Sequence, residues 1–288
     1  MGADLFAQVP AAHAVFDQAD RQLGFSLSTL CFTGPEEALT DTVNQQPALF
    51  TVSLAAWEAL KLANWQPYGP PDFVAGHSLG ELSALTAAGS LTFHDGLALV
   101  RRRGELMKAA GEQQPGAMAA VLGLPIEQIV DLCAEAAAAV GQPVQVANDN
   151  CPGQTVISGN KEALAEALHR LQAAGARKLV TLPITIAAHS PLMSTAAADF
   201  AAAVDDTPIT APQIPVIGNV TARSLTGPED IRAELKAQLT SRVRWTESMR
   251  YLLEVGVGRF VEVGPGDVLA GLVKRIDRQA ERHVFGKA

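Results

Sequence analysis

The segment Gly76-His77-Ser78-Leu79-Gly80 has the G-x-S-x-G pattern of a nucleophilic serine on a sharp turn. An apolar segment, Phe73 to Ala75, precedes it, and residues 81–88 have a helical pattern. A strand-to-helix turn exposes the serine hydroxyl, and the two glycines leave room for close backbone approach. The Leu79 N–H and the start of the helix can stabilise an oxyanion. We therefore predict that Ser78 is a nucleophile; the alternative is a serine in an ordinary tight turn.

A serine nucleophile needs a base, and the chain has six histidines. His189 follows a predicted strand and precedes Ser190-Pro191, where a helix can start. Open α/β sheets place their sites at such strand ends, and the base follows the serine in hydrolase order. We predict that His189 is the base, with a structural loop histidine as the alternative. No acidic third member stands out, so a dyad oriented by a backbone carbonyl and a triad both remain open.

Three successive arginines, Arg101 to Arg103, lie in the second half of a predicted helix. They are compatible with a solvated basic helix end, which the helix dipole favours. The functional alternative is a bidentate clamp for a carboxylate on the acyl group.

The composition excludes several other classes of protein. The chain has 288 residues, 48% of them hydrophobic, a net charge of −8 and a pI near 5.3. These values argue against a disordered chain and against nonspecific nucleic-acid binding. No apolar run is long enough for a membrane span, and the first residues lack the pattern of a secretory signal. The three cysteines are scattered, which predicts idle thiols in a reducing cytoplasm rather than disulfides or a zinc site.

Strands that alternate with helices predict an α/β fold with a mostly parallel sheet covered on both faces. We predict helices at 47–63, with Pro47 at its start, 81–88, 92–110, 191–204, 245–254 and 267–276, and strands at 73–75, 214–217 and 259–263. Leu5, Val9, Ala12 and Phe16 recur at helical spacing in the first forty residues.

Between Gly116 and Pro183 the order of elements becomes β-α-β-β-α-β. We predict strands at 117–122, 144–147, 155–158 and 178–182 and helices at 125–140 and 161–173, with a turn-rich segment at 148–153. This order is typical of a ferredoxin-like unit. We therefore expect a core formed by residues 1–115 and 184–288, with residues 116–183 as an inserted small subdomain.

Several segments together resemble the malonyl-CoA:acyl-carrier-protein transacylases, the acyltransferases of fatty-acid and polyketide synthesis. They extend over almost the whole chain in family order: Gln46-Pro47-Ala48, GHSLGELSAL at 76–85, RGELM at 103–107, GAM at 116–118, NDNCPGQ at 148–154, HSPLM at 189–193, VRWTE at 243–247 and EVGPG at 262–266. The resemblance implies a hydrolase-like core with a ferredoxin-like subdomain, in agreement with the order of elements.

The resemblance also implies a role for each matching residue. Ser78 is acylated, His189 is the base, the Leu79 N–H is half of the oxyanion hole, and Arg103 pairs with the malonyl carboxylate. A backbone carbonyl near Arg244 orients His189, and the family often has glutamine there. Asn148 and Asn150 lie in a small-subdomain loop that faces the site.

The expected reaction transfers a malonyl group from malonyl-CoA to the phosphopantetheine thiol of acyl carrier protein through a malonyl-serine. We expect a cytoplasmic monomer that needs no cofactor or metal and has no membrane or nucleic-acid partner. Lys274, Arg275, Arg278 and Arg282 form the candidate basic surface for the acidic carrier protein, or an ordinary solvated face. The pathway and the preference for malonyl over methylmalonyl stay open.

Two other functions remain possible from the sequence. An acyl hydrolase on the same scaffold would transfer the acyl group to water, but Arg103 argues against it. A catalytically impaired binding protein is the second, because the family has a strand and Gly-Gln-Gly-Ser-Gln before the segment that begins here at Met1. That strand belongs to the central sheet, and the first glutamine supplies the other oxyanion-hole N–H. We expect that Met1 is a misassigned or alternative start, with about fifteen residues absent relative to the family.

Overall fold

A computed structural model describes residues 1–287. Its helices are α1 (Ala3–Gln8), α2 (Pro10–Leu23), α3 (Leu27–Thr33), α4 (Glu36–Thr40), α5 (Thr42–Leu62), α6 (Gly80–Ala87), α7 (Phe93–Gln113), α8 (Ile126–Val140), α9 (Lys161–Ala173), α10 (Ser194–Asp206), α11 (Pro228–Gln238), α12 (Trp245–Glu254) and α13 (Val268–Ile276). Its strands are β1 (Val74–Ala75), β2 (Gly116–Leu122), β3 (Val144–Cys151), β4 (Gln154–Asn160), β5 (Lys178–Thr181), β6 (Val216–Ile217), β7 (Ser224–Leu225), β8 (Arg259–Val263) and β9 (Glu281–Phe285).

The first forty residues form helices α1 to α4 joined by short loops, and the first predicted helical run is divided at Val9. Val9 has extended angles (φ −123°, ψ 107°) because Pro10 disfavours the helical conformation at the preceding residue. Pro10 then occupies the first turn of α2, where its missing N–H leaves no bond unmade. Ala12 and Phe16 are fully buried in the main hydrophobic cluster, which confirms the predicted apolar face.

Helix α5 differs from the prediction because Pro47 lies inside it and not at its start. The helix begins at Thr42, where the Asp41 side chain accepts a hydrogen bond from the Val43 N–H. Pro47 has no N–H to donate to the carbonyl of Val43, four residues earlier. The Arg101 guanidinium of α7 donates to this carbonyl at 3.1 Å instead. A tertiary contact therefore makes the interior proline acceptable.

The prediction of one mostly parallel core sheet is only partly confirmed. Strand β1 pairs in parallel with β6, and β8 pairs in parallel with β9, but β7 joins β6 antiparallel. Within the described residues these strands form two small sheets, β1-β6-β7 and β8-β9. A cavity of about 710 Å³ lies between them, with Val74 of β1, Val261 of β8 and Trp57 of α5 in its wall. The fold is therefore mixed α/β, with most of the main cluster supplied by helices.

Residues 116–181 contain the predicted β-α-β-β-α-β order, as β2-α8-β3-β4-α9-β5. The four strands form a separate sheet in the order β3-β4-β2-β5, and all neighbouring strands are antiparallel. This sheet and its two helices enclose a hydrophobic cluster of their own, which includes Val121, Ile129, Ile157 and Leu171.

The structure corrects the predicted turn at 148–153. Strand β3 continues through Cys151, so that Asn148 and Asn150 lie on a strand and not in a loop. Two register shifts against β4 accompany the extension, and every residue from 146 to 151 is buried. An isolated parallel bridge between Asn148 and Val243 joins this strand to the core. The turn residues are thus held extended by pairing on both sides.

Candidate active site

The turn between β1 and α6 places Ser78 in a conformation that few residues adopt. Ser78 has φ +53°, in the left-handed region. A Cβ on Gly76 would lie 1.8 Å from the carbonyl oxygen of Gly80, so no side chain fits there. The Ser78 N–H donates to Asn219 Oδ1 at 2.6 Å, and Asn219 Nδ2 donates to the Gly76 carbonyl at 2.7 Å. Asn219 therefore fixes the turn from the side.

Ser78 and His189 lie in direct contact. Ser78 Oγ and His189 Nε2 are 2.8 Å apart, although 111 residues separate them in the chain. His189 also has a left-handed backbone (φ +57°) and is only 3% exposed. Its Nδ1 is 2.8 Å from the Gln238 carbonyl and 3.1 Å from the Ser241 carbonyl. Because a carbonyl only accepts, Nδ1 carries the proton and Nε2 is free to accept from Ser78.

These contacts decide between a dyad and a triad within residues 1–287. The His189 ring is hydrogen-bonded to Ser78 and to two backbone carbonyls, and to no carboxylate of the described chain. The sequence predicts an orienting carbonyl near Arg244, and the two carbonyls that contact Nδ1 precede Arg244 by six and three residues. The carbonyl of Arg244 itself accepts the Ser248 N–H at 2.9 Å, and the Arg244 side chain pairs with Glu247. The orienting carbonyls instead belong to the end of α11 and the loop after it.

Burial keeps His189 neutral. Burial and, after it, the nearby Arg103 charge lower the pKa of His189 to about 3. The imidazole is therefore unprotonated at neutral pH and can accept a proton from the serine hydroxyl.

The Arg103 guanidinium is almost fully buried, at 2% exposure, and lies next to the serine. Its Nη2 is 3.0 Å from Ser78 Oγ, and its Nη1 donates to Gln46 Oε1 at 2.8 Å. Its Nε and Nη2 donate to Gln238 Oε1 at 3.1 and 3.0 Å. All these partners are neutral, so no carboxylate of residues 1–287 pairs directly with the buried charge. Burial lowers the pKa of Arg103 to about 10, which leaves it cationic at neutral pH.

The other two arginines of the run lie elsewhere. Arg101 is half-buried and pairs with Glu105 at 2.7 Å, and Arg102 is exposed. Only Arg103 therefore fits the carboxylate clamp, and the other two belong to the helix surface.

The Leu79 N–H points to no acceptor of its own in the part of the chain that the structure describes. It lies at the start of α6, next to the serine, where helical N–H groups lack partners within the helix. Such an N–H can bind a developing oxyanion.

The structure does not bring Asn148 or Asn150 into hydrogen-bonding contact with Ser78. Asn150 Oδ1 is 2.8 Å from His77 Nε2, and the His77 ring meets the Trp245 ring edge-on. Asn148 forms the bridge to Val243. Both asparagines join the four-stranded sheet to the core behind the turn.

Of the candidate basic surface, Arg282 is half-buried against backbone carbonyls, whereas Lys274, Arg275 and Arg278 are exposed.

Sequence reasoning assigned no role to four buried polar residues that surround the site. These are Gln46 and Gln238, which contact Arg103, Asn219, which contacts Ser78, and Glu81, which contacts Gln238 and Asn219. Gln46 and Glu81 lie within the segments that carry the resemblance, so their positions were visible there. Gln238 ends a helix that was not predicted, and nothing in its neighbourhood marks Asn219.

Residues 1–287 contain neither a candidate metal site nor a helix that could span a membrane. No group of three or more His, Cys, Asp or Glu side chains within residues 1–287 is placed to hold a metal ion. No helix among them is both long and apolar enough to cross a bilayer.

Comparison with known proteins agrees with this geometry. The family described as "Acyl transferase domain" matches residues 1–284. The chain belongs to the acyl transferase family. A relative in this family, the malonyl CoA-acyl carrier protein transacylase of Bacillus subtilis, is 45% identical over 97% of this chain and 86% of its own length.

Two solved structures of acyl transferases share the fold. An acyl carrier protein S-malonyltransferase from Vibrio cholerae has a TM-score of 0.95 at 40% identity and covers 99% of this chain and 91% of its own. A malonyl-transacylase solved in complex with its type II polyketide-synthase acyl-carrier protein has a TM-score of 0.92 at 40% identity. This match covers 99% of this chain and 90% of that one.

Proposed function

We propose that this acyl transferase moves a malonyl group from malonyl-CoA to the phosphopantetheine thiol of acyl carrier protein. The observation that carries the proposal is the buried Arg103 guanidinium, 3.0 Å from Ser78 Oγ and held only by neutral partners. A buried cation next to the reacting atom favours an acyl group that brings its own carboxylate. The relatives named malonyl transacylases, and one solved with its carrier protein, support the same substrate and partner.

The first half of the reaction forms an acyl-serine. Ser78 Oγ attacks the thioester carbonyl while His189 Nε2 takes the hydroxyl proton. The Leu79 N–H, at the N-terminus of α6, stabilises the oxyanion of the tetrahedral intermediate. The C–S bond then breaks, and His189 gives its proton to the CoA thiolate. The Gln238 and Ser241 carbonyls hold the imidazole in the tautomer that this transfer requires.

The second half reverses these steps with a different thiol. The phosphopantetheine thiol gives its proton to His189 and attacks the malonyl-serine. The proton returns to Ser78 Oγ when the C–O bond breaks, so enzyme and proton count are restored. The same machinery serves both thioesters, which is the basis of a ping-pong mechanism.

We also propose the division of the chain expected from the sequence. Residues 1–115 and 184–288 form a hydrolase-like core that carries Ser78 and His189, and residues 116–183 form a ferredoxin-like subdomain. The strand-turn-helix around Ser78 supports the first assignment. The antiparallel order β3-β4-β2-β5 and the separate hydrophobic cluster support the second. The proposed active unit is a monomer, which sedimentation at assay concentration tests.

Intact mass after brief incubation with malonyl-CoA tests the function. We expect one malonyl adduct per chain, no adduct in Ser78→Ala, and less with acetyl-CoA. Addition of holo acyl carrier protein should move the adduct to the carrier. Release of free malonate without carrier acylation would identify a hydrolase instead. A folded wild-type protein that forms no adduct while binding a carrier would identify a binding protein.

A further inference from the structure

The Glu81 carboxyl lies beneath the serine turn with no exposure to solvent. It belongs to the first turn of α6, three residues after the nucleophile. Its Oε1 accepts the Asn219 N–H at 2.8 Å, and its Oε2 accepts a hydrogen bond from Gln238 Nε2. The proposed chemistry makes no use of this acid, yet a buried carboxyl is costly unless its contacts repay the cost.

The Gln238 side chain connects Glu81 to the clamp. Its Oε1 accepts two N–H groups of Arg103, at 3.1 and 3.0 Å, while its Nε2 donates to Glu81 and to the Ser78 carbonyl at 3.1 Å. An amide has one accepting end and one donating end. The acceptors at the Nε2 end therefore hold the oxygen toward Arg103.

The surroundings of the Glu81 carboxyl disfavour its ionised form. Burial and the neighbouring Glu234 of α11 raise the pKa of Glu81 well above its usual range. Glu234 itself accepts the N–H groups of Val220 and Thr221. The other charged group that faces Glu81 is Arg103 of α7. The Gln238 amide lies between the Glu81 carboxyl and the Arg103 guanidinium, so Glu81 does not pair with Arg103 directly and the guanidinium can still accept an incoming carboxylate.

We propose that Glu81 is a positioning residue for acyl selectivity, which acts by orienting the Gln238 amide so that a neutral oxygen holds the Arg103 guanidinium next to Ser78. This inference rests on the proposed malonyl transfer. It adds a residue that touches neither the substrate nor the reacting atoms but sets the geometry of the clamp.

Glu81→Gln tests the orientation without a change of size. Glutamine keeps one acceptor, but two N–H donors face residue 81. The Asn219 N–H is fixed in the backbone and keeps the one oxygen of the new glutamine as its acceptor. The NH₂ group of that glutamine then faces the NH₂ group of Gln238, and because both are donors the Gln238 side chain is displaced. Single-turnover acylation, followed by intact mass, should show the malonyl-to-acetyl rate ratio reduced by about 10- to 100-fold, the range for loss of a hydrogen bond to a charged group. An unchanged ratio, or equal falls with both substrates, would overturn the proposal.

Gln238→Glu provides a second variant, in case the first fails to fold. It keeps the size and the oxygen that faces Arg103 but adds a negative charge, so it should also lower the malonyl-to-acetyl ratio. A wild-type ratio in this variant contradicts the inference. Glu262→Gln is the matched control, because its carboxylate also accepts two N–H groups, from Leu269 and Ala270, and it has no contact with Arg103. Absence of a wild-type malonyl adduct would instead refute the proposed function.

Discussion

Replacement of Arg103 by glutamine should remove the preference for an acyl group with a free carboxylate. The guanidinium is 2% exposed and has no anionic partner in the described part of the chain, so an incoming malonyl carboxylate would form its ion pair away from water. Loss of one partner of a buried pair costs about 3–5 kcal/mol, which corresponds to about 10²- to 10⁴-fold in rate. Acetyl transfer makes no such pair and should change by less than about tenfold.

The assay is single-turnover acylation of Ser78 by malonyl-CoA and by acetyl-CoA, followed by intact mass. The ratio of the two rates corrects for any general loss of active protein. Arg102→Gln is the matched control, since it removes an exposed arginine from the same helix turn and should leave the ratio unchanged. If Arg103→Gln lowered both rates equally, or kept the malonyl preference, the reasoning about the clamp would be refuted.

Three further predictions concern stability and reactivity. The pKa of His189 falls from 6.5 to about 3 on folding, so the unfolded chain binds a proton at this residue first as the pH drops below 6.5. Between pH 7 and pH 5 the wild-type protein should therefore lose about 2 kcal/mol of unfolding free energy through His189. His189→Gln should show less of that loss in urea titrations. Gly76→Ala should destabilise the protein by more than about 3 kcal/mol, whereas Gly80→Ala, whose added Cβ meets nothing within 4 Å, should melt near wild type. Burial raises the pKa of Cys31, Cys133 and Cys151. Iodoacetamide at pH 8 should therefore label the native protein no faster than global unfolding allows. Rapid labelling of the native protein would contradict the burial of these three thiols.

The reactive groups of the site could be identified from local sequence because each has few alternative explanations. A serine between two glycines, after an apolar strand and before a helix, restricts the backbone enough to predict an exposed hydroxyl. The structure has that turn, and it brings His189 and Arg103 within hydrogen-bonding distance of Ser78. Hydrophobic periodicity alone could not show which of the three arginines is buried. The family resemblance selected Arg103, and Arg103 is the buried one in the structure.

Helix α11 was not predicted from hydrophobic periodicity, although its sequence contains signals for a helix start. Gly227 and Pro228 mark a helix start, and Glu229 and Asp230 lie in its first turn, where acidic residues are favourable. Its apolar face is narrow because Ile231 and Leu235 are the only large apolar residues on it. The helix was therefore predictable in principle. The contact of its last residue, Gln238, with Arg103 could not be predicted, because that contact depends on where α11 ends relative to α7.

The carbonyls that orient His189 could be predicted only approximately from the sequence. A backbone carbonyl has no sequence signature, because every residue carries one. The prediction near Arg244 lay within the correct stretch of chain, but the carbonyls that reach Nδ1 are those of Gln238 and Ser241. Only the end of α11 and the loop after it determine which carbonyls turn inward.

The buried amide side chains around the site also could not be identified from the sequence. A charged residue such as Arg103 stands out in a sequence because burial of a charge is rare and demands a reason. Glutamine and asparagine are common on surfaces, so Gln46, Gln238 and Asn219 carry no such mark. Yet a neutral amide is the partner that can hold a buried guanidinium without cancelling its charge. A site that must keep a cation ready for an anionic substrate is therefore completed by the residues that sequence patterns reveal least, and they must be found from tertiary structure.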